Sequence, residues 1–263
     1  MKPSLRIDRQ QAIELGLCSR HDVWYDGKTQ TIEEFSRLQN LRVNENLNIM
    51  GNTLLKCLPS GLSVGGDLDL RGCRSLKSLP LGLIVEGSLH LGRCFSLKSL
   101  PPGLKVGKNL WLGDCRSLKS LPSGLQVGGH LSLEGCTSLE SLPIDLKVGK
   151  SLLFWESPLT SLPSGLKVRG NLDLKGSKLL KSLPSDLKVG GSLLLDACVS
   201  LETLPSGLKV GKILSLDSCV ALKSLPPDLQ IGGSLYLFGC VSLESIPSGL
   251  KVGGDILRPQ HLR

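Results

Sequence analysis

Asp69, His90 and Ser132 occupy one column of a repeating sequence, and a carboxylate, an imidazole and a hydroxyl are the parts of a hydrolytic triad. His90 stands 21 residues after Asp69, and Trp111 falls at the same interval between His90 and Ser132. If each copy contributes one strand to a parallel sheet, Ser132 lies roughly 10 Å from the imidazole, whereas a nucleophile and its base must meet at about 3 Å. The spacing builds no triad. Asp114, Glu134 and Glu156 offer carboxylates for glycoside hydrolysis, but a row of strands is a surface and implies no enclosed pocket. The expectation is a protein without catalytic activity.

Cysteine is the next chemically loaded residue. Of nine in the chain, Cys73, Cys94, Cys115, Cys136, Cys198, Cys219 and Cys240 share one repeat position. Side chains stacked in parallel at the ~4.8 Å strand spacing are badly directed for a disulfide. No Cys-x-x-Cys pair exists and His21, His90, His130 and His261 are scattered, so neither a metal nor another cofactor is implied. The reading is small buried free thiols in a reducing compartment. Gly149-Lys150-Ser151 ends like a phosphate loop. It is nevertheless one copy of a corner that also holds Gly65-Gly66, Gly128-Gly129, Gly190-Gly191 and Gly232-Gly233, and no helix follows it.

The repeat itself must position all of these. Prolines at 59, 80, 101, 122, 143, 163, 184, 205, 226 and 247 step by 21 residues, with one step of 20. A fixed period of this size marks a stacked solenoid, in which no copy buries its apolar face alone. After Pro59 come Leu62, Leu68, Leu70, Leu76 and Leu79, and the other copies follow suit. Leu68-Asp69-Leu70 alternates with period two and reads as a short strand with its leucines inward. Proline and the glycine pair exclude a helix on the return side, which is expected to be extended or 3₁₀, with Leu62 and Val64 inward. The fold class is thus a solenoid with a single concave parallel β-sheet and an extended or 3₁₀ convex side.

Leu68-Asp69-Leu70-Arg71-Gly72-Cys73-Arg74-Ser75-Leu76 has the form Leu-x-Leu-x-x-Cys-x-x-Leu, which resembles the conserved segment of leucine-rich repeats. Asn52 fills the Cys slot in the first copy, as that resemblance implies. The Leu-Pro-x-x-Leu element looks like the short bacterial class found in type III secreted effectors. Those use 20 residues and Asn, whereas here only the copy at 143–162 keeps the shorter length, with Ser157 in the slot. The resemblance covers residues 41–257.

Residues 1–40 do not fit the repeat and are read as an N-terminal cap of helix, hairpin and helix. Asp8 and Gln11 open the first helix and Gly16 closes it. A hairpin turns at Asp26-Gly27, and Thr31-Ile32-Glu33-Glu34 starts a second helix through Phe35 and Leu38. Residues 258–263 form a C-terminal tail too short for a second cap. The reading is that the chain continues in a longer parent, or that the edge is covered by this tail or by another chain, self-association through that edge being one way. No classical signal peptide or run of roughly 18 apolar residues is visible, which points to a cytoplasmic protein or, on the effector resemblance, one secreted into a host cytosol.

The informative positions are the strand residues that face away from the core. Aromatic and charged residues gather there, and the expected partner-binding set is Asp69, His90, Trp111, Glu134, Leu153, Trp155, Asp173, Leu194, Asp196, Tyr236 and Phe238. The function read from them is a non-catalytic scaffold that binds a protein partner on its concave face. Alternatives are a secreted effector, or its substrate-recognition part, acting on host proteins, and an anion or nucleic-acid binder using lysine rows. One row holds Lys105, Lys147, Lys167, Lys188, Lys209 and Lys251, a second Lys77, Lys98, Lys119, Lys181 and Lys223, and together they carry most of the net +8. No aromatic residue interleaves with them, so a solvated, solubilising row is the favoured reading and nucleic acid is not.

Overall fold

The structure is a computed structural model and describes residues 6–7, 36–37 and 39–262. It divides into two compact units, residues 1–132 with 136–138, and residues 133–135 with 139–263. Both are wound from the same coil. Each coil enters a two-residue strand whose first side chain faces out and whose second, a Val or Ile, faces in. A glycine-rich corner follows, and then a second two-residue strand that begins with an inward leucine.

In the first unit, Arg42–Val43, Ser63–Val64, Ile84–Val85, Lys105–Val106 and Gln126–Val127 stack as a parallel ladder, with Arg6–Ile7 paired onto its first rung. Leu47–Asn48, Leu68–Asp69, Leu89–His90, Leu110–Trp111 and Leu131–Ser132 form the other. The second unit repeats the plan. Lys147–Val148, Lys167–Val168, Lys188–Val189, Lys209–Val210, Gln230–Ile231 and Lys251–Val252 make its first ladder. Leu152–Leu153, Leu172–Asp173, Leu193–Leu194, Leu214–Ser215, Leu235–Tyr236 and Ile256–Leu257 make its second.

Two ladders therefore replace the single sheet expected from sequence. The return side is extended, as read, but it is also strand-paired. Its corner is glycine at most rungs, which eases the approach of the coils, although Glu86 N–H makes the same bond to Val64 C=O at 2.9 Å with a Cβ in place. A Cβ at Gly107 would collide with the Glu86 carbonyl and one at Gly211 with the Gly190 carbonyl, so a bare backbone lets successive coils approach. Gly107 N–H then donates to Val85 C=O at 2.9 Å, and Gly211 N–H to Val189 C=O at 3.0 Å. The corner is structural and has no helix to cradle a phosphate.

The core is the expected aliphatic column, with Leu62, Val64, Leu68, Leu70 and Leu76 all fully buried in one coil. Burying such a side chain is worth about 1.5–3 kcal/mol, which a lone coil would lose to chain entropy. The cysteines do more than fill space. Cys73 Sγ donates to Ile49 C=O at 3.2 Å, Cys94 to Leu70 C=O at 3.1 Å and Cys219 to Leu195 C=O at 3.1 Å, so each thiol ties its coil to the one before. Asn52 instead accepts from the Leu54 and Leu55 N–H groups at 3.0 and 2.9 Å.

The helix read at 8–16, the hairpin at 26–27 and the capping box at 31–34 lie outside the described residues. Ser36 and Arg37 are helical. The tail places a 3₁₀ turn at Gln260–Leu262, with His261 Nε2 3.2 Å from Leu243 C=O. Among the described residues, no helix is long and apolar enough to cross a membrane.

Candidate protein-binding face

The Leu-x-Leu ladder presents two outward columns, the residue between the strand leucines and the residue just after the strand. Its backbone is rigidly paired across coils, as in Leu70 N–H to His90 C=O and Leu172 N–H to Ser192 C=O. The turn that follows puts one residue per coil in the left-handed region, glycine at 51, 72, 135, 176 and 239 but Arg93, Asp114, Glu156, Ala197 and Ser218 elsewhere. That geometry fixes where the next side chains project.

In the first unit Asp69 is half-buried and fully engaged. Arg71 Nε donates to both of its carboxylate oxygens at 3.0 Å and Nη2 to Oδ2 at 2.6 Å, a bidentate pair that raises the Arg71 pKa. His90 sits between Asp69 and Trp111 in register, so Trp111 does separate it from Ser132, which is buried. Trp111 is half-buried, its ring stacked on His130 with centroids 6.5 Å apart at 22°. Asp114 is paired with Arg116 at 3.0 Å and lies 3.9 Å from Arg93.

The second unit holds the more accessible residues. Glu134 is exposed, Trp155 is 41% exposed and Phe238 49% exposed. Leu153, Leu194 and Tyr236 are half-buried along the inner column. Asp173 is buried, with Oδ1 accepting the Lys175 N–H at 3.2 Å. Asp196 gathers Lys175 Nζ at 3.2 Å and the Ser215 hydroxyl. Beyond it Asp217 accepts the Phe238 N–H at 2.7 Å, and its pKa is raised by burial, with the Asp196 charge adding to the effect. The outer column thus reads Trp155, Lys175, Asp196, Asp217, Phe238, an aromatic at each end of a charged centre. At the ~4.8 Å rung spacing the two rings are roughly 19 Å apart.

Three features escaped the sequence reading. The residue before most Leu-x-Leu strands is a small polar group whose side chain accepts the next coil's N–H, as Asn46 does for Asp67 at 2.7 Å and Asn171 for Ser192 at 2.9 Å, whereas Ile213 offers no acceptor. Arg74 and Arg116 both stack on Phe95, each guanidinium 5.5 Å from the ring centroid. At the same repeat position the second unit exposes Val199, Val220 and Val241. The signal for the last two lies two residues past the strand turn, outside the strand positions that period-two alternation marks as outward.

No family model matches the chain, and no curated protein does. Among solved structures, the leucine-rich repeat domain of the type III effector XopL is similar at 21% identity, over 95% of this chain and 80% of that one, with a TM-score of 0.38. A likeness that loose carries no weight for fold or function. The chain's own register establishes the architecture, a solenoid of parallel coils of 21 residues, one of them 20, with a thiol, amide or hydroxyl at the turn.

Proposed function

We propose that the chain is a non-catalytic scaffold that captures a protein partner on the outward side of its Leu-x-Leu ladder. The observation that carries this is the pair Trp155 and Phe238, large rings left 41% and 49% exposed on a ladder whose folding makes no use of them. Exposed aromatics on a rigid support are the usual anchors of an interface. The acidic centre formed by Asp196 and Asp217 suits a partner that offers a basic side chain between two apolar ones.

A paired capture experiment tests the reading. Partner retained by the wild-type chain is expected to fall at least about tenfold with Trp155→Ala plus Phe238→Ala, as for anchors at the centre of an interface. It should hold with Lys181→Gln plus Lys223→Gln. Equal loss in both, or loss in the lysine variant alone, would reject the Leu-x-Leu face.

A further inference from the structure

The second unit carries one strongly charged row away from that face. Lys147, Lys167, Lys188, Lys209 and Lys251 hold the outward position of its first ladder, with Gln230 before the last. Register sets Lys167 beside Lys188 and Lys188 beside Lys209, then Lys209 beside Gln230 and Gln230 beside Lys251. All five lysines are exposed, and among the described residues none is within ion-pair distance of a carboxylate. Like charges directly across a ladder repel and destabilise it.

Solubility does not call for that arrangement, and the same unit shows the alternative. On the third side of the coil Lys181, Glu202, Lys223 and Glu244 succeed one another, linked by backbone hydrogen bonds of 3.2 to 3.3 Å, so opposite charges are neighbours. Of the acids two residues before the row's outward positions, Asp186 and Asp228 are turned onto the preceding coil, where the Lys167 charge also acts on Asp186. Asp186 accepts from Ser164 Oγ at 2.9 Å and Gly165 N–H at 2.8 Å, and Asp228 from Ser206 Oγ at 2.7 Å. Along the C-terminal end of the row runs an open groove of about 570 Å³, lined by Lys209, Gln230 and Lys251, by Gly211, Gly232 and Gly253, and by the valine and isoleucine residues between them. Lys150, Arg169 and Lys212 are exposed at the glycine corner and add to the positive field.

We propose that this row and the groove at its C-terminal end bind a linear acidic polysaccharide carrying about one carboxylate or sulfate per sugar ring. The charge repeat selects the ligand. Rungs recur at ~4.8 Å, roughly one ring of an extended glycan. Because neighbouring rings turn opposite faces, same-face anions recur at about twice that spacing and meet every second lysine. An extended acidic peptide shows same-face carboxylates every ~6.8 Å and drifts by about 2 Å at each rung. Duplex nucleic acid carries one charge per ~1.7 Å on a rod far wider than a single row of side chains. A single strand needs aromatic platforms, and the aromatics of this unit (Phe154, Trp155, Tyr236, Phe238) all belong to the Leu-x-Leu ladder.

The test uses a heparin-derived decasaccharide titrated into the full chain at low and moderate salt. Binding should weaken linearly in log–log against salt, as expected for ion release. Lys167→Gln, Lys188→Gln and Lys209→Gln together should weaken it at least about tenfold with a shallower salt slope. The three Lys→Arg changes should retain it, and Lys181→Gln with Lys223→Gln should leave it within about twofold. The triple Gln variant should also melt no lower than wild type, because repulsion is relieved. Absence of binding at low salt, equal loss in the control pair, or a lower melting temperature in the triple Gln variant would overturn the proposal. So would tighter binding of oligothymidylate, polyglutamate or anionic vesicles of matched charge.

Discussion

The two units share an interior and differ outside. The outward position of the first ladder reads Arg42, Ser63, Ile84, Lys105 and Gln126 in the first unit, against Lys147, Lys167, Lys188, Lys209, Gln230 and Lys251 in the second. At the turn after the other ladder, Arg74, Phe95 and Arg116 in the first unit correspond to Val199, Val220 and Val241 in the second. Core positions are bound to the coil's volume and to its hydrogen bonds. Surface positions are released from both, so the surface records what each unit meets. At these two positions the cations differ in type, stacked guanidinium groups in the first unit and a lysine row in the second.

The interiors also differ in their thiols, and the largest effect expected from that is alkaline unfolding. In the first unit, burial pushes Cys73, Cys94 and Cys136 from an ordinary 9.0 up to about 12, and Cys115 further. In the second, Cys198 is pushed up to about 12 and Cys240 to about 11, and Cys219 rises further. A raised folded pKa gives stability that is complete below the unfolded value and lost as pH climbs through the folded one. The window is therefore about pH 9 to 12, and each thiol costs about 1.4 kcal/mol per pH unit within it. The first unit has four of these groups and the second three, so the first should open earlier. Urea unfolding at pH 8 and pH 10.5, with pulsed alkylation read by mass spectrometry, checks this. Earlier labelling of Cys198, Cys219 and Cys240 would break the comparison.

Next in size is a packing difference. The 20-residue coil at 143–162 lies in the second unit, and there a fully buried Phe154 takes the place held by Leu112 in the first. The larger ring is expected to fill the volume left by the missing residue. Phe154→Ala should cost about 3–5 kcal/mol, and even Phe154→Leu should cost about 1 kcal/mol through the cavity it leaves. Leu112→Phe should cost about 1–3 kcal/mol through overpacking. Denaturation midpoints decide it. A neutral Phe154→Leu would mean that the short coil needs no filling.

Much of this was legible in the sequence because period and apolar register dictate burial. Leu68, Leu70, Leu76 and Val64 could be assigned inward before any coordinates, and the Asp69–His90–Ser132 triad could be dismissed by spacing alone. The second ladder was not legible. It is eased by the clearance above a neighbouring carbonyl, as at Gly211, and a glycine in sequence does not say whether it serves a bend or a close approach. Accessibility on the candidate face was legible only in part. Asp173 occupies an outward column yet is buried, and Asp69 is consumed by Arg71, because the leaning of one side chain over the next rung is a property of neighbours. The thiol hydrogen bonds were missed for a related reason, since each reaches a carbonyl 24 residues back.

A smaller effect concerns one hydroxyl. Ser177 holds the thiol slot in the second unit, is buried, and its Oγ finds no hydrogen-bond partner among the described residues. Ser177→Cys replaces an unpaired hydroxyl with a weak donor and should stabilise that unit by about 1 kcal/mol. Cys94→Ser in the first unit should do the reverse if the slot favours sulfur for its size and low desolvation cost. Thermal melts of the two variants test the slot directly, and a stabilising Cys94→Ser would refute it.

The smallest expected effect separates backbone from side chain in the turn after the Leu-x-Leu strand. Ala197 and Ser218 sit there at φ of 58° and 62°, where Gly72 in the first unit sits at 73°. A Cβ in this region costs roughly 1–2 kcal/mol, against about 0.4–1 kcal/mol of chain entropy that glycine adds to the unfolded state. Ala197→Gly should therefore stabilise by about 0.5–1 kcal/mol, and Gly72→Ala should destabilise by a similar amount, although a Cβ at Gly72 would meet nothing closer than 3.6 Å. Because space is available there, any loss at Gly72 has to come from φ alone. A neutral Gly72→Ala would show that the turn relaxes, and the outer column of the face would then be less rigidly aimed than the register implies.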